Sequence, residues 1–209
     1  MPASARGVFA ARTELAAAYA EMLVTDGVTR GLIGPREAPR VWDRHLLNCA
    51  VVSDAIPVGA DVCDLGSGAG LPGVVLAIRR PDLQLTLVEP LLRRTAFLEE
   101  AVDRLSLTNV EVRRGRAEDL HGEADFAVVT SRAVAPLPRL LDWSMPLVRR
   151  GGVLLAMKGS SAAAEVAGAA AELRHWAAAD VRVLSLGVGV IDPPTTVIRA
   201  VGSRRARLG

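Results

Sequence analysis

The stretch DLGSGAGLPG, residues 64–73, decides the fold. It follows the apolar pair Val62 and Cys63, and its first three glycines have the spacing GxGxG. A buried strand that runs into a glycine turn and then a helix is typical of the first crossover of an α/β sheet, where an adenine-containing cofactor binds. Glycine is also common in turns that bind nothing. The stretch therefore predicts an α/β fold, and a nucleotide site only if other residues support it.

Short β-type runs alternate with helical patterns from residue 61 onward. This alternation predicts a mostly parallel sheet with helices on both faces. The last two strands are separated by a Gly/Pro loop with no room for a helix, so they should pair antiparallel. The seven expected strands are Asp61 to Leu65, Gln84 to Val88, Val110 to Arg113, Phe126 to Thr130, Val153 to Met157, Val181 to Leu186 and Thr196 to Val201.

Apolar residues at helical spacing predict four further helices, two of them before the sheet. They are Thr13 to Leu23, roughly Glu37 to Ala55, Leu91 to Ser106 and the alanine-rich run Ala162 to Ala178. A chain of 209 residues is long enough for one core. We expect a single domain, with residues 1–58 as an N-terminal helical layer and residues 59–209 as a Rossmann-like core.

Composition narrows the class of protein. Half of the residues are hydrophobic, yet no apolar run reaches the roughly 18 residues of a membrane helix. Cys49 and Cys63 are the only cysteines and form no CxxC pair, so we expect neither a metal site nor a disulfide. The N-terminal segment lacks the apolar region of a signal peptide. These features predict a cytoplasmic protein without a membrane partner.

Glu89 strengthens the case for a nucleotide site. It ends the second expected strand 23 residues after Gly66, close to the roughly 20-residue spacing at which an acid reaches the ribose of a bound adenosine. Ala117 and Glu118 follow the third strand and could border the adenine. The acid that binds the ribose, the residues that border the adenine and the glycine loop would then lie at the ends of successive strands. The alternative for Glu89 is a solvent-exposed glutamate without a ligand.

Two cofactors fit this arrangement, and the local chemistry separates them. A dinucleotide needs a third glycine at the GxGxxG position, which is Leu71 here. S-adenosylmethionine has no phosphate and carries a positive sulfonium, to which the carboxylate of Asp64 is suited. Gly66 and Gly68 would then face the cofactor. We favour S-adenosylmethionine, while an NAD-dependent oxidoreductase and a purely turn-capping Asp64 remain open.

The acceptor of a methyl group also constrains the residues. An exocyclic base amine requires hydrogen-bond acceptors at the end of the fourth strand, where this chain has Thr130 to Ala133. Pyrimidine C5 requires a cysteine nucleophile in the pocket, and neither cysteine is well placed. Ring N7 of guanine has a free lone pair and no proton to lose, so correct placement could suffice. Guanine N7, a small-molecule acceptor and a non-enzymatic RNA-binding protein all remain open.

Five blocks of the sequence resemble one known family. DLGSGAGLPG, TLVEPLLRRTAFLEE, GRAED, TSRAVAPL and AMKG together are similar to the ribosomal RNA small subunit methyltransferase G family, also called glucose-inhibited division protein B. The resemblance covers about residues 44–201. It implies a class I S-adenosylmethionine-dependent methyltransferase fold and methylation of N7 of one guanine in the decoding-region loop of 16S rRNA.

The resemblance also implies roles for individual residues. It places Gly66, Leu71, Ala117, Glu118 and Arg132 at the cofactor, with Glu89 as the ribose acid. Two departures from the family pattern stand in the N-terminal part. RHLLNC keeps Arg44 and His45 but has Asn48 and Cys49 in place of Asp and Ser, and VTRGLIGPRE replaces an Asn-Leu-Thr stretch.

Arg132 and His45 are our candidates for catalysis. Arg132 ends the fourth strand beside the expected sulfonium, where a guanidinium needs a carboxylate or phosphate to hold it. His45 lies at the edge of the helical layer, and a hydrogen-bonded packing role is its alternative.

Basic residues predict the RNA contacts. Arg116 lies near the expected pocket and Lys158, the only lysine, ends the fifth strand; with Arg44 and the tail residues Arg204 and Arg205 they are candidates to meet phosphate. Solvated surface charges are the alternative. The seven aromatic residues form no stacking platform for a single strand. We therefore expect a structured substrate, 16S rRNA or the small ribosomal subunit particle, bound by a monomer.

Overall fold

The structure is a computed structural model that describes residues 1–203, and a seven-stranded sheet lies at its centre. All seven expected strands are present; β5 begins five residues earlier than predicted, and every other bound lies within three residues of its prediction. The strands are β1 Asp61–Leu65, β2 Gln84–Glu89, β3 Val110–Arg114, β4 Phe126–Arg132, β5 Val148–Lys158, β6 Ala178–Leu186 and β7 Thr195–Gly202.

The strand order is β3-β2-β1-β4-β5-β7-β6. The first five strands run parallel, and β7 runs antiparallel to both of its neighbours, β5 and β6. The chain leaves β1 towards β2 on one side and later returns to β4 on the other. In open α/β sheets a ligand binds at such a reversal, beyond the carboxyl ends of the strands.

Alternation along the strands divides the core into two layers. Val153, Leu155 and Met157 of β5 contribute to one apolar cluster, and Leu154 and Ala156 contribute to the other. This period of two is what a sheet covered on both faces requires. The first cluster includes buried residues of the N-terminal segment, so the helical layer and the sheet share a core.

Helices cover both faces of the sheet. They are α1 Ala3–Phe9, α2 Thr13–Met22, α3 Asn48–Ala50, α4 Gly73–Arg79, α5 Leu92–Arg104, α6 Leu137–Ser144, α7 Ala162–Gly168 and α8 Ala170–His175. The helix expected over Glu37 to Ala55 is present as a run of several turn types. A 3₁₀ turn at Ala38–Arg40, a π-helical stretch at Val41–Leu47 and a 3₁₀ turn at Val51–Ala55 flank α3.

Two helix predictions need correction. The alanine-rich run is two short helices, broken at Ala169 directly after Gly168, and it ends at His175 because Ala177 has a positive φ of 48°. The helix expected from Leu91 begins at Leu92, and the apolar side chains of Leu91 and Leu92 are 45% and 62% exposed. Phe97 and Ala101 are buried instead.

Residues 1–203 contain neither a membrane-spanning helix nor a cluster of metal-binding side chains. No helix in this part of the chain is long and apolar enough to cross a membrane. Within the same residues, no group of three or more His, Cys, Asp or Glu side chains could hold a metal ion.

Candidate active site

The glycine loop is shaped by close approaches inside the protein. A Cβ at Gly66 would lie 2.8 Å from a methyl carbon of Val134, and one at Gly70 would lie 2.7 Å from the hydroxyl of Tyr19. Both residues also have positive φ angles, 68° and 94°, which favour glycine. Gly68 differs, because the nearest described atom to its Cβ position is the carbonyl oxygen of Gly66 at 3.8 Å. Of these three glycines, only Gly68 has room beside its α-carbon.

Asp64 lies beneath this loop and is completely buried. Its Oδ2 accepts a 2.9 Å hydrogen bond from the backbone N–H of Gly73 at the start of α4. Its Oδ1 is buried and has no hydrogen-bond partner among the described residues. Burial raises the pKa of this carboxyl to about 7, against the opposing effect of the Gly73 N–H. The structure therefore places Asp64 under the floor of the loop, as the turn-capping alternative predicts.

Glu89 links β2 to the glycine loop. Its Oε2 accepts a 3.0 Å hydrogen bond from the N–H of Gly68, and its Oε1 accepts a 3.1 Å hydrogen bond from the N–H of Leu91. Arg94 donates to the same Oε2 over 3.5 Å. The side chain is only 1% exposed, so it is a fixed part of the wall and not the solvent-exposed glutamate of the alternative.

A cavity of about 720 Å³ opens at the carboxyl ends of β1, β2 and β4. This volume falls within the range of small-molecule sites. Most of the expected cofactor residues line it, while Asp64 is not among them. The lining residues that the sequence predicted are Gly66, Gly68, Leu71, Glu89, Ala117, Glu118, Arg132 and His45.

Arg132, at the end of β4, is held from the N-terminal segment. Its Nη2 donates to Nδ1 of His45 over 2.7 Å and to the carbonyl oxygen of Arg44 over 3.3 Å. Its Nη1 donates to Sγ of Cys49 over 3.4 Å. No carboxylate of the described residues holds this guanidinium, because its three acceptors there are uncharged side-chain and backbone atoms.

His45 is buried between two charges. Burial, and then the Arg132 guanidinium, lower its pKa to about 4, against the opposing effect of Glu37. Its Nε2 lies 3.2 Å from Oε2 of Glu37, although the geometry is not that of a hydrogen bond. His45 is therefore neutral at pH 7, with the lone pair of Nδ1 directed at Arg132.

The segment that departs from the family pattern forms one wall of the cavity. Leu32, Ile33, Gly34 and Glu37 all line it. Cys49, which stands where Ser is usual, is buried, and its sulfur accepts from Arg132. Burial raises the pKa of this thiol, against the opposing effect of Arg132. Both departures thus lie at or next to the cavity.

The residues expected to contact RNA differ in their exposure to solvent. The side chain of Arg44 is 51% exposed and lies 3.1 Å from Glu37, and Arg116 is exposed at the cavity mouth. Lys158 is only 9% exposed, and its ammonium donates to Glu165 and to a backbone carbonyl. It lies in the wall of a second cavity and not on an exposed face. Arg204 and Arg205 lie outside the described residues.

Sequence reasoning missed three side chains at the site. Tyr19 donates to the carbonyl oxygen of Ala69 over 2.5 Å from beneath the loop. Glu37 faces His45, and Glu165 binds Lys158 over 2.7 Å. Tyr19 and Ala69 are 50 residues apart, and no local pattern indicates a contact over such a distance.

The sequence is similar to a described family over most of its length. Residues 12–189 match the profile described as rRNA small subunit methyltransferase G. Two curated relatives carry the name ribosomal RNA small subunit methyltransferase G. The protein from Nocardioides sp. is 61% identical over 100% of this chain and 84% of its own length. The one from Thermobifida fusca is 58% identical over 94% and 83%.

Solved structures share the fold at low identity. An S-adenosylmethionine-dependent O-methyltransferase from Thermotoga maritima matches with a TM-score of 0.61 and 14% identity, over 82% of this chain and 71% of its own. The methyltransferase SibL in its apo form matches with a TM-score of 0.62 and 18% identity, over 81% and 58%. The predicted class I methyltransferase fold is therefore confirmed.

Proposed function

Because the chain belongs to the rRNA small subunit methyltransferase G family, we propose that it methylates N7 of a guanine in the decoding-region loop of 16S rRNA. The methyl donor is S-adenosylmethionine. The observation that carries the proposal is the cavity that joins the glycine loop, Glu89 and Arg132 at the carboxyl ends of β1, β2 and β4.

The residues of the cavity fit this donor. S-adenosylmethionine combines a ribose, an adenine, an amino-acid group and a sulfonium, and when bound it supplies an activated methyl group. The wall combines acidic side chains with basic ones, as a ligand with both kinds of charge requires: Glu37, Glu89 and Glu118 with Arg94, Arg116 and Arg132. Gly68 leaves room beside the backbone. No phosphate has to be accommodated beside these carboxylates.

Glu89, Ala117 and Glu118 are assigned to the adenosyl part. Glu89 is already fixed by Gly68 and Leu91, so its carboxylate needs no reordering to accept from ribose hydroxyls. Ala117 and Glu118 lie in a 3₁₀ turn, Ala117–Leu120, which Asp119 stabilises by accepting from the N–H of Arg116 over 2.8 Å. Gly66, Gly68 and Leu71 form the backbone side of the site. Asp64 supports it from below through Gly73.

Arg132 is assigned to the reacting end of the cavity, and His45 positions it. Attack by guanine N7 releases no proton, so the reaction needs no general base. A neutral His45 whose Nδ1 accepts from Arg132 agrees with this requirement, because it serves as a hydrogen-bond acceptor and not as a proton carrier. Cys49 and the carbonyl oxygen of Arg44 direct the other N–H groups of the guanidinium.

The RNA is proposed to approach over Arg44 and Arg116, which are exposed next to the cavity. Arginine side chains in such positions bind phosphates and set the register of the nucleic acid. We assign the enzyme to the cytoplasm, as a monomer that acts on 16S rRNA within the small ribosomal subunit. The large apolar side chains exposed in residues 1–203 are spread over several segments, which supports a monomer: Met1, Val58, Leu91, Leu92, Val183, Val188 and Val190.

Mass mapping of 16S rRNA tests this function. A strain without the gene should lack one N7-methylguanine, and a plasmid with the wild-type gene should restore it. The Arg132→Ala variant should bind S-adenosylhomocysteine, as measured by calorimetry, and should restore little of the modification. Unchanged guanine methylation in the deletion strain would refute the proposal.

A further inference from the structure

A second cavity, of about 740 Å³, lies beyond the carboxyl ends of β4 and β5. It shares Arg132, Ala133 and Val134 with the first cavity. The two cavities therefore adjoin at the end of β4. Its position beside the reacting end of the first cavity makes the second cavity a candidate binding site for the methyl acceptor.

The walls of this cavity combine apolar surfaces with one ion pair. Val134, Pro136, Pro138 and Met157 supply apolar surface against which the face of a base can pack. The polar side chains of the wall are Asn48, Arg132, Lys158 and Glu165. Lys158, at the end of β5, and Glu165, in α7, face each other with Nζ and Oε2 2.7 Å apart. They are 9% and 24% exposed.

Both partners of the ion pair keep hydrogen-bonding capacity. The ammonium of Lys158 has three N–H groups, of which one donates to Glu165 and one to the carbonyl oxygen of Ala135. The carboxylate of Glu165 has about four acceptor positions. It accepts from Lys158 and from the N–H of Leu137 on Oε2 and from Ser161 on Oε1. One donor on Lys158 and one acceptor position on Glu165 therefore remain.

This remaining pair matches the edge of one base. Guanine presents an acceptor, O6, next to a donor, N1–H, on its Watson–Crick edge, whereas adenine presents a donor next to an acceptor at the same places. With its Watson–Crick edge against Lys158 and Glu165, a guanine keeps N7 free of these two side chains. A donor and an acceptor fixed side by side discriminate strongly, because the wrong base leaves buried polar groups unpaired.

We propose that the second cavity receives the guanine to be methylated, and that Lys158 donates to its O6 while Glu165 accepts from its N1–H. The assignment rests on the function proposed above and deepens it, because it names the residues that select guanine. It also reassigns Lys158, which contacts the base and not an RNA phosphate.

The experiment compares two bases at the methylated position. Small subunits are reconstituted with 16S rRNA that carries either guanosine or 2,6-diaminopurine riboside there; the second keeps N7 and the 2-amino group but reverses the pattern at O6 and N1. Glu165→Gln keeps the size of the side chain and adds a donor. We expect it to lower kcat/KM for guanosine at least about tenfold and to lower the preference for guanosine over diaminopurine by at least the same factor. If Glu165 has a purely structural role, the variant should lower kcat/KM equally for both bases and leave the preference for guanosine unchanged. That result would overturn the proposal.

A cavity-filling variant tests the location independently. A Cβ built at Gly168, which lines the second cavity, would have no described atom within 4 Å apart from its chain neighbours and the backbone of its own helix. Gly168→Leu should therefore fold, bind S-adenosylhomocysteine within about twofold of wild type and lose at least about tenfold in methylation. Gly7→Leu, in α1, is the matched control, because its Cβ position is equally open. Wild-type methylation by Gly168→Leu would overturn the location. Failure of the wild-type enzyme to methylate guanosine would instead refute the proposed function.

Discussion

Nη2 of Arg132 donates a 2.7 Å hydrogen bond to Nδ1 of His45, which joins the end of β4 to a segment 87 residues earlier in the chain. An arginine can only donate, so the lone pair of Nδ1 is the acceptor and the proton of the neutral ring lies on Nε2, facing Glu37. The contact makes the N-terminal layer part of the candidate site. This hydrogen bond can therefore contribute both to folding stability and to the rate of methyl transfer, and the two contributions can be measured separately.

Replacing His45 should impair turnover more than cofactor binding. His45→Ala removes the acceptor that fixes Nη2, so the guanidinium becomes mobile at the reacting end of the cavity. We expect kcat to fall about tenfold to a hundredfold, since misplacement of about 1 Å costs on that order. Steady-state methylation of small subunits measures kcat, and calorimetry with S-adenosylhomocysteine measures binding. His175→Ala, on the exposed face of α8, is the control, and equal kcat values for both variants would contradict the role.

The sheet could be predicted from the sequence because each strand is defined by its own residues. The runs VC in β1 and VLLAM in β5 supply apolar side chains to both faces, and the Gly/Pro loop between β6 and β7 leaves no room for a crossover helix. The alanine-rich run was predicted less well, because alanine favours helix everywhere and does not indicate where a helix ends. Ala169, at the break, is fully buried in the second apolar cluster, and the positive φ of Ala177 is a backbone property that alanine does not indicate in a sequence.

The site could be predicted best where its residues end a strand. Glu89 and Arg132 do so, and the topology places them at the same edge of the sheet. Asp64 lies one residue before the end of β1, and the alternation of side chains directs it to the face that packs against the N-terminal layer, where it does not line the cavity. Glu37 and Glu165 come from segments without a motif, and their roles depend on contacts with His45 and Lys158 that only the folded chain makes.

Glu89 should contribute to cofactor affinity both directly and through the loop. Glu89→Ala removes the acceptor of the Gly68 N–H and, on the proposed function, the ribose contacts. We expect the binding free energy of S-adenosylhomocysteine to weaken by about 1 to 3 kcal/mol. Glu89→Gln keeps an acceptor for Gly68 and should weaken it less. Glu99→Ala, at an exposed position of α5, is the calorimetric control; the same affinity in Glu89→Ala and Glu99→Ala would be incompatible with this assignment.

Gly70 should be required for stability as well as for function. A Cβ there would lie 2.5 Å from a methyl carbon of Val74 and 2.7 Å from the hydroxyl of Tyr19, at a φ of 94°. Gly31 also has a positive φ, 67°, but no described atom lies within 4 Å of its Cβ position. Gly70→Ala should therefore lower the free energy of unfolding by about 1 to 3 kcal/mol more than Gly31→Ala. Because both positions have a positive φ, this difference measures the cost of the steric contacts at Gly70. Urea denaturation of both variants measures this difference, and equal losses would mean that the loop relaxes.

Asp64 and His45 should have opposite effects on the pH dependence of stability. The folded-state pKa of Asp64 is raised from 3.8 to about 7, so its contribution is complete below pH 4 and is lost as the pH rises to 7. The folded-state pKa of His45 is lowered from 6.5 to about 4, so its contribution is complete above pH 6.5 and is lost as the pH falls to 4. In the wild type the two slopes largely offset each other between pH 4.5 and 6.5.

Each replacement should therefore expose the slope of the group that remains. Relative to wild type, the unfolding free energy of Asp64→Asn should rise with pH across this window, because the opposing carboxyl has been removed. That of His45→Gln should fall with pH, because only Asp64 still titrates. Each slope is at most about 1.4 kcal/mol per pH unit for one proton. Urea denaturation of the three proteins at pH 4.5, 5.5 and 6.5 measures these differences, in which the other titrating groups cancel. Differences that do not change with pH would show that the folded-state pKa values of Asp64 and His45 are not shifted in these directions.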